Sequence, residues 1–292
     1  MLFRWWLKTK SIYEEFNGIS SEKWLEVLLQ SISQNVIQGV RMPGYPDPEL
    51  QASIVGSSNE HALREAWGFY REISDYAANN SIAFGSKSKL LDFGCGWGRN
   101  YRFFLKDVPV SNLHGVDVDP QLIELCQSII PAGNFHIVEP FPPTSFSNNH
   151  FDIVYAYSVF SHLSEAAHLA WLGEFYRIIK PSGLLIVTTH ARDFLDYCES
   201  LRHVEEHPTL WHQALSKSFG NIEDAKKYYD AGGFLFEASG GGGVRTSDFY
   251  GDTLISPGYV QREWTRFFSI VDFVDDKNRL AQAMIVAKKQ ST

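Results

Sequence analysis

Between residues 88 and 190, short apolar runs alternate with segments of helical spacing, and this alternation restricts the fold more than any other feature of the chain. Lys89–Phe93, Leu113–Asp117, Phe135–Glu139, Phe151–Tyr157 and Leu184–Thr189 read as strands. Segments at about 98–106, 120–129 and 164–180 read as helices, the last stopped by Pro181-Ser-Gly. Strands separated by helices predict an α/β fold with a doubly wound parallel sheet. Before this region, residues 1–87 predict a helical extension. Trp24, Leu25, Leu28, Leu29 and Ile32 recur at helical spacing, as do Leu63, Trp67, Tyr70 and Ile73. Met42-Pro-Gly-Tyr-Pro-Asp-Pro between them carries three prolines and is irregular. Residues 191–255 are polar and helical at first, then run into Gly240–Gly243, a loop that suits a hinge. Residues 256–292 predict two final strands joined at Asp275-Asp-Lys-Asn as a hairpin.

Charge and cysteine usage narrow the setting. The net charge of −8 argues against nucleic acid as a partner, since phosphate binding draws on clustered basic surface. The excess concentrates in 191–255, which has six basic and eleven acidic residues. That favours a neutral or cationic ligand there. Three widely spaced cysteines, Cys95, Cys126 and Cys198, suggest a reducing compartment, hence a cytoplasmic protein. No apolar run approaches the roughly 20 residues of a membrane span. The apolar opening Met1–Lys8 lacks a small-residue cleavage site and reads as a helix start rather than a leader.

The segment Leu90-Leu-Asp-Phe-Gly-Cys-Gly-Trp-Gly-Arg-Asn100 carries the chemistry. A strand ends at Phe93, and glycines follow at 94, 96 and 98, ahead of an amphipathic helix. Glycines at such a turn let a ligand approach the backbone closely, beside helix N-terminal amides. The second strand ends in Asp117, which a doubly wound sheet sets beside the first turn, in reach of ribose hydroxyls. The spacing is Gly-x-Gly-x-Gly, not the dinucleotide Gly-x-Gly-x-x-Gly.

Taken together, Asp92-x-Gly94-x-Gly96-x-Gly98, Gly115-Val-Asp117-x-Asp-Pro120, Phe151-Asp-Ile-Val and Ile179-Lys-Pro-Ser-Gly183 resemble the class I S-adenosylmethionine-dependent methyltransferases over roughly residues 60–190. The resemblance implies a Rossmann-like seven-stranded sheet with a terminal antiparallel hairpin, and S-adenosyl-L-methionine as cofactor. It makes 88–190 and 256–292 the cofactor-binding core. The N-terminal helices and the 191–255 insertion fall to acceptor recognition and a lid. It implies that Asp92, Gly94, Cys95 and Gly96 surround the methionine part of the cofactor. Asp117 takes the ribose, Val118 and Glu139 flank the adenine, and Tyr157 and Ser158 face the methionine and the methyl. Tyr70 or Trp67 lends an aromatic from the helix before the first strand. The residues taken alone admit other roles: Asp92 as a turn cap, Asp117 as a solvated strand end, Tyr70 and Trp67 as core, and Arg99 as an exposed helix-start cation or a carboxylate partner.

Methyl transfer to a hydroxyl also needs its proton removed. Two histidines follow strands on the ligand side of the sheet: His162 in Ser158-Val-Phe-Ser-His, and His190 in Thr188-Thr-His. Both are candidate bases. Tyr228, Tyr229, Phe234, Phe236, Phe249 and Tyr250 are candidates for an acceptor pocket or for core. His203-Val-Glu-Glu-His207 formally matches a zinc-peptidase pattern, but Pro208 follows and no metal is assigned. The reading that results is methyl transfer to a small-molecule or glycan acceptor at oxygen. Its alternatives are N-methylation and a cofactor-binding partner subunit without turnover.

Overall fold

The computed structural model describes residues 10–291, so the apolar opening segment lies outside the described residues. Two compact units divide the chain. One runs to Gly115 and takes in Pro120–His136; the other comprises Val116–Asp119 and everything from Ile137 onward.

The first unit begins with helices α1 (Ile12–Phe16) and α2 (Ser21–Ser31), strands β1 (Val36–Ile37) and β2 (Val40–Arg41), and helices α3 (Pro48–Val55) and α4 (Asn59–Asn79). Serine or aspartate caps open α1, α2 and α3 by accepting first-turn amides, as Ser11, Ser20 and Asp47 do. The β1–β2 hairpin interrupts the expected run of helices. Its turn, Gln38-Gly39, has φ values of 51° and 79°, the two left-handed residues that a tight two-residue hairpin needs. Strand β3 (Leu90–Phe93) follows, then β4 (Leu113–Asp117), α5 (Pro120–Ile129) and β5 (Asn134–Ile137).

After the glycine turn the expected amphipathic helix is absent. Tyr101–Lys106 is a 3-10 helix with all six side chains buried, so it has no polar face. Its carbonyls are taken from outside: the Trp24 indole donates to Phe103 O at 2.9 Å and Asn17 Nδ2 to Lys106 O at 3.1 Å. Side-chain donors satisfy carbonyls that an α-helix would have used itself.

The second unit contains β6 (Phe151–Ala156), α6 (Glu165–Ile178) and β7 (Ile179–Thr189). The insertion follows as α7 (Phe194–Leu201), α8 (Leu210–Leu215), α9 (Ile222–Asp230), β8 (Phe234–Glu237) and β9 (Asp252–Ile255). Helix α10 (Pro257–Glu263) and strands β10 (Ser269–Val274) and β11 (Ala283–Lys288) complete the chain. The fold is α/β and Rossmann-like, with seven strands in the order β10-β11-β7-β6-β3-β4-β5. β6 runs parallel to β7, with Ile153 opposite Leu184 and Ala156 opposite Val187. β11 runs antiparallel to β7, and β10 antiparallel to β11, as expected of the terminal hairpin. With neighbours on both edges, Leu184–Val187 are fully buried and form an unbroken apolar run.

Helix α6 ends at Ile178, three residues before the stop expected at Pro181. Residues preceding a proline favour extended backbone, and Ile179 is already extended at ψ 138°. Pro181-Ser-Gly therefore lies inside the long strand β7. Residues 191–255 hold a second unexpected hairpin, β8 with β9, hidden in the sequence by the long loop between its strands. A Cβ at Gly251, just before β9, would lie 2.0 Å from the Glu237 carbonyl oxygen, which is backbone and cannot move aside. Gly251→Ala is therefore expected to lower stability by about 3 kcal/mol or more, measured by urea denaturation, with the m-value unchanged. A loss below about 1 kcal/mol would show that β8 and β9 do not approach this closely.

Candidate functional site

In the first unit, β3 delivers Asp92 and then the glycine turn. Asp92 is 1% exposed and Cys95 is buried. Gly94, Gly96 and Gly98 have φ values of 71°, 54° and 76°, which L side chains rarely adopt. At Gly96 an added Cβ would meet only Ile54 Cγ2, at 3.6 Å, so the backbone there is approachable. Gly98 has a packing role instead, because its Cβ would press on Ile130 Cδ1 at 2.9 Å. Tyr70 does not lie open to a ligand. Its ring packs on Phe103 and Phe104, and its hydroxyl donates to Asp107 Oδ2 at 2.7 Å. Ring and hydroxyl are thus both engaged within this unit. Trp67 carries Arg71 over its ring at 4.8 Å. Arg99 is buried, not an exposed helix-start cation, and its Nη1 donates to Glu65 at 2.6 Å.

In the second unit, Asp117 ends β4 and is 9% exposed; its Oδ1 accepts the Asp119 amide at 3.0 Å. Val118 follows directly, half-buried. Glu139 lies past the end of β5 and is exposed. Tyr157 is buried beyond β6, and Ser158 adopts a left-handed φ of 57°. That conformation costs energy for a side-chain-bearing residue and is held by neighbours. Ser158 N donates to Thr188 Oγ1 at 2.7 Å, Thr188 Oγ1 donates to Gln282 Oε1 at 2.6 Å, and Gln282 Nε2 donates to Ser158 Oγ at 2.9 Å.

The two candidate bases converge. His162 and His190 have ring centroids 5.7 Å apart, edge to face, and both approach one carboxylate, Asp252. His162 Nδ1 is 3.8 Å and His190 Nε2 is 3.7 Å from Asp252 Oδ1. Asp252 is 1% exposed and also accepts from Trp211 Nε1 at 3.2 Å and Ser239 Oγ at 3.0 Å. His162 Nδ1–H donates to Gly251 O at 2.8 Å, which leaves the lone pair on Nε2. Its ring stacks on Tyr250 at 4.8 Å and 9°, and His190 stacks on Phe194 at 3.7 Å and 4°. Among the aromatics proposed for a pocket, Tyr250 thus reaches the site, Tyr229 and Phe249 are core, and Tyr228 is exposed.

The pairing that brings these residues together is backbone-driven. Gly251 N donates to His162 O and Thr253 N to Ser161 O, each at 2.8 Å, while Leu254 bridges His190 in parallel. Asp252 was not singled out from the sequence. Its place in Tyr250-Gly-Asp-Thr, just ahead of an apolar strand, was the available signal. A cavity of about 190 Å³ opens beside His190, lined also by Ala191, Phe194, Tyr197, Lys277 and Gln282.

Burial lowers the pKa of His162 to about 4, aided by the neighbouring His190 and opposed by Asp252. Burial lowers that of His190 too, again opposed by Asp252. For Asp252, desolvation acts upward, but hydrogen bonding and the two histidines hold the carboxyl below its usual range. Both rings are therefore neutral at pH 7 beside an ionised carboxylate. The three side chains also form a possible metal-ligand set, with donor atoms within 4.8 Å of one another. Bonds of about 2.1 Å to one ion bring neighbouring donors to roughly 3–3.4 Å, closer than they stand here. His203 and His207, the formal zinc-peptidase match, are not on a helix, and the His203 side chain is 76% exposed.

Comparison with known proteins agrees with this framework. Residues 90–183 match the family described as a methyltransferase domain. That match covers about a third of the chain. It is similar to a phosphoethanolamine N-methyltransferase of Plasmodium falciparum (isolate 3D7), with 26% identity over 121 residues, 41% of this chain and 42% of that one. It is also similar to a trans-aconitate 2-methyltransferase of Enterobacter sp. (strain 638), with 31% identity over 108 residues, 36% of this chain and 40% of that one. The matches thus span about two-fifths of the length of these curated relatives. A solved S-adenosylmethionine-dependent methyltransferase from Clostridium acetobutylicum aligns with 77% of this chain and 92% of its own, at 12% identity and a TM-score of 0.49. No described helix is long and apolar enough to cross a membrane.

The lowered pKa of His162 sets a pH dependence. Unfolding restores a value near 6.5, so between pH 6.5 and about 4 the unfolded chain binds more protons. Stability therefore falls as pH falls through that window. By pH 4.5 this histidine alone is expected to account for about 2 kcal/mol of the loss. His162→Gln should flatten the dependence of urea-denaturation stability on pH between 7 and 4.5. An unchanged slope would mean that His162 is solvated.

Proposed function

We propose that the chain is a methyltransferase that moves the methyl group of S-adenosylmethionine to a hydroxyl oxygen of a small-molecule or glycan acceptor. The convergence of His162 and His190 on the buried Asp252 at the ends of β6 and β7 carries this reading. The residues fit the cofactor. A buried carboxylate at the end of β4, steadied by the Asp119 amide, suits a ribose diol, and the turn at Gly96 admits close approach. Asp92, Gly94, Cys95 and Gly96 would serve the methionine part, Val118 and Glu139 the adenine, and Tyr157 and Ser158 the methyl. When bound, the cofactor supplies an electrophilic methyl on a positive sulfonium.

The chain's own residues orient the acceptor and take its proton. His190 lines the cavity and turns Nε2 toward Asp252, so its Nδ1 accepts the hydroxyl proton as the new O–CH3 bond forms. The cofactor, when bound, would supply the methyl and would leave as a neutral thioether with the S–CH3 bonding pair. Asp252 stabilises the imidazolium, and Phe194 fixes its plane. The excess of acidic residues in 191–255 supports a neutral or cationic acceptor and its role as lid, and three buried free cysteines support a cytoplasmic setting. N-methylation is a second reading, favoured by the relative named phosphoethanolamine N-methyltransferase.

Asp117→Ala is expected to weaken calorimetric binding of S-adenosylhomocysteine at least about tenfold. With methyl incorporation from labelled cofactor into fractionated cell extract as the assay, His190→Gln should lower turnover about a hundredfold and leave that binding unchanged. Full turnover by His190→Gln would remove His190 as the base. Binding without any incorporation in the unsubstituted protein would point to a partner subunit.

A further inference from the structure

We infer that Arg245 is a positioning residue, which fastens the glycine-rich loop onto the turn after Asp117 and, through Tyr250, holds His162 in place. The inference rests on the proposed reading of Asp117 as the ribose carboxylate. Three contacts in the second unit, and the packing of Arg245 beside Tyr250, connect these groups. Asp119 N donates to Asp117 Oδ1 at 3.0 Å, and Arg245 Nη2 donates to Asp119 Oδ2 at 2.7 Å. Arg245 and the Tyr250 ring both close on Gly241, where an added Cβ would stand 3.0 Å from Arg245 Cβ and 2.7 Å from the ring, so the Arg245 cation acts on the Tyr250 hydroxyl, and that ring lies flat on His162 at 4.8 Å. A charge-assisted bond thus joins the loop that carries Tyr250 to the backbone turn that orients Asp117.

The loop between β8 and β9 is built to bring Arg245 to this point. Gly241 N donates to Arg245 O at 2.8 Å and Arg245 N donates to Gly242 O at 3.1 Å, closing a small turn that displays the side chain. A Cβ at Gly241 would stand 2.7 Å from the Tyr250 ring, so only glycine lets the loop fold back onto that tyrosine. Gly240 N donates to Tyr250 O at 3.0 Å from the other side. Gly240, Gly242 and Gly243 all have left-handed φ values, which give the loop freedom when the ion pair is absent. The Arg245 and Asp119 side chains are 27% and 17% exposed, so the pair is partly shielded from solvent.

His162 faces His190, Asp252, Tyr250 and the Arg245 cation. Seating a nucleoside against Asp117 would tighten the Asp119 turn, and hence Arg245, Tyr250 and the imidazole stacked on it. Cofactor binding and alignment of the histidine cluster then become one event.

The test compares Arg245→Gln, Asp119→Asn, the double variant and Arg245→Lys. Each of the first two is expected to weaken calorimetric S-adenosylhomocysteine binding about tenfold, and the double variant by no more than either alone, since one contact is lost in all three. Arg245→Lys should recover most of the affinity. Followed by NMR without ligand, the His162 ring should titrate at higher pH in Arg245→Gln, which removes a nearby cation, and at its original pH in Arg245→Lys. Additive losses, or an unmoved His162 titration, overturn the inference. The NMR arm is independent of cofactor binding. If Asp117→Ala fails to weaken binding, the cofactor reading falls while the titration still decides the role of Arg245. Thermal denaturation identifies a variant that does not fold; the lysine and Asp119→Asn variants then carry the comparison.

Discussion

A carboxylate buried to 1% exposure cannot stay ionised without compensation, and Asp252 obtains it from four separate stretches of chain. Trp211 of α8, Ser239 of the β8–β9 loop, His162 after β6 and His190 after β7 all turn toward it. None of these partners carries a formal positive charge at neutral pH. The carboxylate is stabilised by two direct donors and by polarisable rings, which leaves its charge available to a proton arriving on either histidine. The arrangement of the site follows from where β9 is held.

β9 is held by the insertion's own core. Leu195, Cys198, Leu215, Phe219, Ile222, Tyr229 and Leu254 bury one another within the polar-looking segment. Leu254 belongs both to that core and to the strand that bridges His190. The glycine loop between β8 and β9 contributes nothing to that core. Packed helices place Asp252, while a loop of low intrinsic order carries Arg245 and Tyr250. Rigid support for the charged group beside a closable segment is what a reaction needs when its reactants must enter and leave.

The sheet was legible because its strands are buried runs such as Leu184–Val187, where period and composition agree. Asp117 was legible because it ends such a run, and His162 and His190 because they follow two others. Tertiary contacts overrode the local signals elsewhere. Tyr101–Lys106 has helical spacing, yet its carbonyls bind Trp24 and Asn17, partners far away in sequence. Arg99 had two plausible roles, and Glu65 decided between them. Asp252 was invisible because its importance is a matter of convergence: nothing within ten residues of it is a candidate base. The β1–β2 turn uses Gln-Gly, a weaker hairpin signal than Asn-Gly.

Two histidines beside one carboxylate also limit how many protons the cluster can hold. His190 lowers the proton affinity of His162, and Asp252 raises that of both rings. A first proton is balanced by the carboxylate, whereas a second would leave a buried net positive charge next to an imidazolium. The cluster is thus a store for a single proton, and methyl transfer to a hydroxyl releases one. Under the proposed reading His190 receives it, and His162, already fixed by its bond to Gly251 O, stays neutral. An amine acceptor, an ammonium at neutral pH, would also have to give up a proton before transfer, and the same cluster could take it. The capacity of the Asp252 cluster therefore matches a reaction that releases one proton for each methyl transferred.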